Sequence, residues 1–298
     1  MTRKNAFSTC HPAVNLLYFV LVLAFSMVLM HPVSLVISLS AALACSVSLN
    51  GGCAVRRSLW YLLPMMLMTV VINPAFNHRG ATILCYLPTG NPLTLESIFY
   101  GAAAASMLAA VVVWFTCYTS VMTSDKFIYL FGRVIPALSL VLSMTLRFVP
   151  RFKAQLRVVT EAQRCVGRDV SSGSILQRTK TAVNILSVLV TWALENAIET
   201  ADSMKSRGYG LPARTAFSIY SLNRRDKVLL GWLTGCGALL LWGVLRGALS
   251  WQYYPTAGGR GGGLLPVLLQ LCYLTLCLTP VILNGKEDWK WTRLHCGN

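Results

Sequence analysis

Charge is what this chain has least of. Of 298 residues only 12% are charged, and just 10 are acidic. A soluble domain of this length carries about twice that charged fraction. With 55% hydrophobic residues and a mean hydropathy of +0.58, the composition implies a polytopic membrane protein. Motifs of catalysis are absent too. No G-x-x-x-x-G-K-[ST] occurs, which excludes nucleotide hydrolysis through a P-loop. No G-x-S-x-G or H-E-x-x-H occurs either. Gly258 to Gly263 is glycine-rich but has no lysine, and it reads as a flexible loop. The four histidines are scattered, and none of the ten cysteines forms a C-x-x-C pair, so no zinc site or disulfide framework is expected. Cys45, Cys117, Cys236, Cys272 and Cys277 lie in apolar runs, where a thiol acts as a small hydrophobe. Carboxylates are missing from the first four apolar runs. That disfavours a self-contained ion- or proton-driven transporter.

What is present is six apolar runs. They cover about Ala13–Met30, Val33–Leu49, Leu59–Ala75, Ile98–Val121, Val228–Leu249 and Leu264–Leu283. The first lacks a small-x-small cleavage site and reads as a span. Pro64 predicts a kink in the third. Ala81 to Leu87 has room for a short hairpin. The alanine-rich start of the fourth run, Gly101 to Ala105, permits close helix packing in lipid. Basic residues decide the orientation. Of 26 Lys and Arg, two precede the first run, two lie between the second and third, sixteen fall in Lys126–Lys227, and three follow the sixth. Positive charge collects on the cytoplasmic side, so both termini and the polar middle are expected there. The net charge of +16 therefore speaks for anionic lipid, not nucleic acid. Three regions follow: residues 1–125 with four transmembrane helices, 126–227 as a cytoplasmic helical region, and 228–298 with two more helices and a tail.

The middle carries the pattern of greatest interest. A moderately apolar helix is expected over Ala137–Val149. Two longer helical patterns then end on Gly167 and Gly208, 41 residues apart. If the second runs from Ile175 to Arg207, it is about 50 Å long at 1.5 Å per residue. Its apolar stripe is Leu186, Val190, Ala193, Ala197 and Met204, with Glu195, Glu199 and Asp202 opposite. Arg207 falls at its tip, where a cation suits the helix dipole and a guanidinium fork suits a carboxylate. The plain reading is a solvated helix end. The sharper reading is a docking knob.

Four stretches resemble one family. They are His11-Pro12-Ala13-Val14-Asn15-Leu16-Leu17, Leu146-Arg147-Phe148-Val149-Pro150, Glu161-Ala162-Gln163-Arg164-Cys165-Val166-Gly167 and Ser206-Arg207-Gly208-Tyr209-Gly210. Together they resemble the transmembrane T component of energy-coupling factor transporters, the cobalt- and vitamin-type ABC importers. The resemblance implies an all-α polytopic membrane protein with about six transmembrane helices and long cytoplasmic coupling helices. It implies a multi-pass subunit of the cell membrane that is not itself an enzyme and holds no cofactor or metal. It implies two cytoplasmic ABC-type ATPase subunits and a membrane-embedded, substrate-binding S component as partners, serving uptake of a vitamin, metal or other micronutrient. The ATPase-docking residues it implies are Ser206, Arg207 and Gly208 on one helix, and Arg164, Cys165, Val166, Gly167 and Arg168 on the other. The first signature departs from the family, with Cys165 and Val166 where alanine and arginine are expected, and Arg164 and Arg168 flank it. A reading from another class stays open: a membrane enzyme that binds a phosphorylated lipid through Arg147, Arg151, Lys153 and Arg157.

Overall fold

The computed structural model describes residues 6–77, 80–86, 92–132, 135–168, 174–211, 220–255, 258–259 and 263–295. It is all-helical apart from two small hairpins. The helices are α1 (Pro12–Val28), α2 (Pro32–Asn50), α3 (Gly52–Phe76), α4 (Leu95–Val121), α5 (Ser124–Gly132), α6 (Pro136–Cys165), α7 (Ile175–Ser206), α8 (Arg224–Leu245) and α9 (Leu264–His295). Strands β1 (Ile83–Tyr86) and β2 (Pro92–Thr94) pair antiparallel between α3 and α4, as do β3 (Trp251–Gln252) and β4 (Gly258–Gly259) between α8 and α9. The first hairpin falls where the sequence leaves room for one. The chain divides into two compact units. One is built from Met1–Phe127 with Tyr220–Asn298, the other from Ile128–Ile219.

Among the described residues, six helices are long and apolar enough to cross a membrane. They are α2, Ser58–Phe76 of α3, α4, α7, α8 and Leu264–Glu287 of α9. Five were expected. The first expected span forms α1, which at 17 residues is at the short end of what crosses a bilayer. The sixth by length and hydropathy is α7, which falls in the region 126–227 expected in the cytoplasm. Its ionised residues sit toward the ends, Arg178 and Lys180 at one and Glu195 onward at the other, and leave an apolar centre.

Local chemistry explains where the helices begin. His11 and His31 each precede a proline at the first helical position. Each places its Nδ1 to accept the backbone N–H two residues on, from Ala13 and Val33, both at 3.3 Å. Proline costs nothing there, because that N–H has no helical partner anyway. At α7 the Gln177 side chain accepts from the Ser174 N–H at 3.4 Å, half of a capping box.

The core of the first unit centres on Trp114 of α4, fully buried like Tyr18, Phe7, Phe19 and Tyr273. Edge-to-face rings link Phe7, Tyr18, Phe19 and Trp114. Two of the buried polar tips find partners, as desolvation demands. Tyr18 OH donates to the Cys277 carbonyl at 2.9 Å, and Trp114 Nε1 to Ser38 Oγ at 3.2 Å. Cys45, Cys117, Cys236 and Cys277 are buried and reduced. At the opening of α8, Arg225 donates to Glu287 at 2.7 Å and to the Ala6 carbonyl at 3.1 Å, tying the start of the chain to α9.

The second unit is an antiparallel pair, α6 and α7. Here the sequence reading needs one correction. The helix expected to stop at Val149 runs on through Pro150 to Cys165. Proline removes one backbone bond and strains the turn before it, but α6 is continuous across it. The stripe of Leu186 and Val190 does not pack on α6. Those side chains are 60% and 50% exposed. The seam is instead Val159 of α6 against Ile185 and Leu189 of α7, extended by an edge-to-face contact of Phe152 and Trp192 at 5.5 Å.

Candidate functional site

The two glycine-ended tips share one backbone design. At the end of α6, the Arg168 N–H reaches the Gln163 carbonyl at 2.9 Å and the Gly167 N–H the Arg164 carbonyl at 3.0 Å. At the end of α7, Tyr209 N–H reaches Met204 at 3.0 Å and Gly208 N–H reaches Lys205 at 3.1 Å. This is the paired 6→1 and 5→2 bonding that closes a helix on a left-handed residue. Gly167 and Gly208 both have φ of 78°, a conformation that costs other residues about 1–2 kcal/mol. The residue before each glycine is the helix cap. Val166 has φ −85° and ψ 8°, and Arg207 has φ −85° and ψ 10°. The two positions are therefore equivalent in backbone and differ in side chain.

Both caps are offered to solvent. Val166 is 72% exposed, and Arg164, Cys165, Gly167, Arg168, Ser206 and Arg207 are exposed with it, while Gly208 is half-buried. The motif is not unique to the tips. The end of α8 closes in the same way at Gly247. There Arg246 lays its guanidinium over the Trp242 ring, 5.1 Å from its centre. Arg207, by contrast, makes no ion pair or ring contact with any described residue.

The pairing of α6 and α7 separates the tips. Because the helices run antiparallel, the end of α7 lies beside Met144–Arg151 of α6, not beside Cys165. From Arg147 to Cys165 the helix rises about 27 Å at 1.5 Å per residue. The structure thus does not bring the two sets of expected docking residues into one site. It sets them at opposite ends of the second unit.

A cleft of about 340 Å³ opens where the end of α7 meets α6. Met144, Arg147, Phe148 and Arg151 line it from α6, and Asn196, Glu199, Thr200, Ser203, Met204 and Arg207 from α7. Sequence reasoning put Arg147 and Arg151 on a basic face but did not join them to Arg207. The signal was there in the spacing. Residues 144, 147, 148 and 151 share one face of a helix, as do 196, 199, 200, 203 and 207. Only the antiparallel register brings the faces together.

Comparison with known proteins meets the geometry here. The family described as cobalt transport protein (CbiQ) matches residues 3–217, a stretch that includes both tips. An energy-coupling factor transporter transmembrane protein of Lacticaseibacillus paracasei is 38% identical over 109 residues, 36% of this chain and 39% of that one. The protein of the same name from Lactobacillus helveticus is 34% identical over 105 residues, 35% of this chain and 38% of its own. That of Listeria innocua is 28% identical over 198 residues, 61% of this chain and 71% of the relative. The chain spans about two fifths of the length of the first two. With most of its length matched, the chain belongs to the cobalt transport protein family.

Proposed function

We propose that this chain is the transmembrane T component of an energy-coupling factor importer. In this reading it passes the motion of two cytoplasmic ABC-type ATPases to a substrate-binding S component in the cell membrane. One observation carries it: two solvent-facing helix ends of equivalent backbone, at opposite ends of one antiparallel pair. One compact globule cannot grip both ends as equivalent sites, but two related subunits can, one at each tip. Arg207 offers a charged fork to an acceptor on one ATPase. Val166 offers apolar area to the other, with Arg164 and Arg168 beside it. The exposed stripe of α7, Leu186, Val190 and Ile198, then faces the S component. Both termini lie in the cytoplasm, in keeping with the distribution of Lys and Arg. The T component holds no site for the vitamin, metal or other micronutrient being taken up.

The test is co-purification in mild detergent from cells expressing the whole gene neighbourhood. Two P-loop ATPases should come down with the tagged chain. Arg207→Glu should strip at least one and stop uptake, because it sets a like charge against the acceptor. If Arg207→Glu keeps the full complex and full uptake, the tip is only a solvated helix end and the docking reading fails.

A further inference from the structure

The cleft beside Arg207 holds more positive charge than it can balance. Arg147 and Arg151 are four residues apart on α6 and repel one another. Arg207 comes to the same cleft from α7. Glu199 is the one carboxylate in the lining, and none of the three arginines forms an ion pair with it or with any other described residue. Even with Glu199 counted in full, two positive charges remain. The rest of the wall is partly apolar, with Met144 and Phe148 on α6.

We infer that this cleft binds a phosphate monoester carried on an apolar body. Such a group bears about −1.5 to −2 at neutral pH and offers three strong acceptor oxygens. That charge matches the excess in the cleft, whereas a single carboxylate or phosphodiester leaves one cation unmatched. Guanidinium forks suit phosphate oxygens in bidentate pairs. The Met144 and Phe148 side would lie along the apolar body. The same chemistry is found in the headgroup of a monoester lipid and in free phosphate. The inference shares Arg207 with the docking reading, but it concerns the cleft of the isolated chain, and Arg147 and Arg151 belong to the cleft alone.

The experiment uses the full chain, delipidated in detergent, and measures half-saturation by short-chain phosphatidic acid. Phosphatidylcholine serves as blank and inorganic phosphate as competitor. R147Q/R151Q should raise the half-saturation point at least tenfold. K153Q/R157Q removes the same charge from α6 outside the cleft lining and should change it less than twofold. Glu199→Gln should tighten binding severalfold, and it remains informative if R147Q/R151Q does not fold. Competition by millimolar phosphate identifies a free oxyanion as sufficient, and its failure assigns the site to the lipid headgroup. Either result supports the site. Equal weakening by the two double variants, absence of saturation, or weaker binding by Glu199→Gln overturns it. Retention of ATPases by R147Q/R151Q is followed in parallel, so that failure of the cleft and failure of the docking tip are told apart.

Discussion

Val166 and Arg207 pose a controlled comparison, since the backbone around them is the same and only the side chain differs. A buried interfacial charge pair that loses one partner costs about 2–5 kcal/mol or more. Burying a valine is worth at most about 1.5–3 kcal/mol. We expect Arg207→Ala to lower ATPase retention and uptake more than Val166→Ala, with both read on the tagged complex. The glycines behind them also differ. A methyl group at Gly208 would meet Leu211 Cδ1 at 3.0 Å, while at Gly167 it meets nothing. Both alanine variants carry the left-handed penalty of about 1–2 kcal/mol. Gly208→Ala should cost more than Gly167→Ala, measured as the fall in thermal midpoint of the full chain. The tip glycines and Arg207 were legible in the sequence because glycine after a helical pattern has a narrow physical meaning. The cleft was not, because no spacing rule tells which α6 residue a residue of α7 will meet.

At the level of whole elements, the two His-Pro starts make a pH-dependent device of an ordinary cap. Burial holds the imidazoles of His11 and His31 below the usual histidine value. In the folded chain each Nδ1 accepts a hydrogen bond and must be unprotonated to do so. The unfolded chain binds these protons at about pH 6.5, the folded chain only at lower pH. Stability should therefore fall as the pH drops below about 6.5 and level off below the folded values. His11→Asn and His31→Asn retain a capping side chain that does not titrate. The double variant should show a flatter fall in thermal midpoint between pH 7 and 5 than the parent, and an equal slope would remove the histidines from the account. The apolar runs foretold α2, α3, α4, α8 and α9 well, since length and hydropathy suffice for a span. α7 is as long and apolar as a span although it lies in the polar middle of the chain, because its charges sit toward its ends and its centre is apolar. The stripe of Leu186 and Val190 shows what periodicity alone can tell. A helix with several neighbours has more than one apolar face, and periodicity finds a face without saying what covers it. On α7 the face toward α6 is Ile185 and Leu189, about a quarter turn away from the stripe at 100° per residue.

Across the whole molecule, the basic residues make the orientation testable. Ser206→Cys and Lys286→Cys should label only from the cytoplasmic side, and Tyr86→Cys, on the exposed first hairpin, from outside. Labelling of Ser206→Cys from outside would reverse the orientation and remove the ATPases from reach of the tip. The order of the units along the chain sets a further constraint. The α6–α7 unit is one uninterrupted stretch, Ile128–Ile219, while the other unit is split around it. The partners of the first turns arrive last: Phe7 bonds Asn284 across 277 residues, and Tyr18 bonds the Cys277 carbonyl across 259. At synthesis rates of about 5–20 residues per second, α1 spends on the order of 10 to 50 seconds in the ribosome's company before α9 exists. Through that interval Phe7 and Tyr18 have only earlier helices to lean on. A nascent chain halted after α8 should expose Phe7→Cys to thiol reagent, and release of the finished chain should hide it. The bundle is thus finished from its far end, and whatever guards the newborn first helix in the cell must hold it until the last one is threaded.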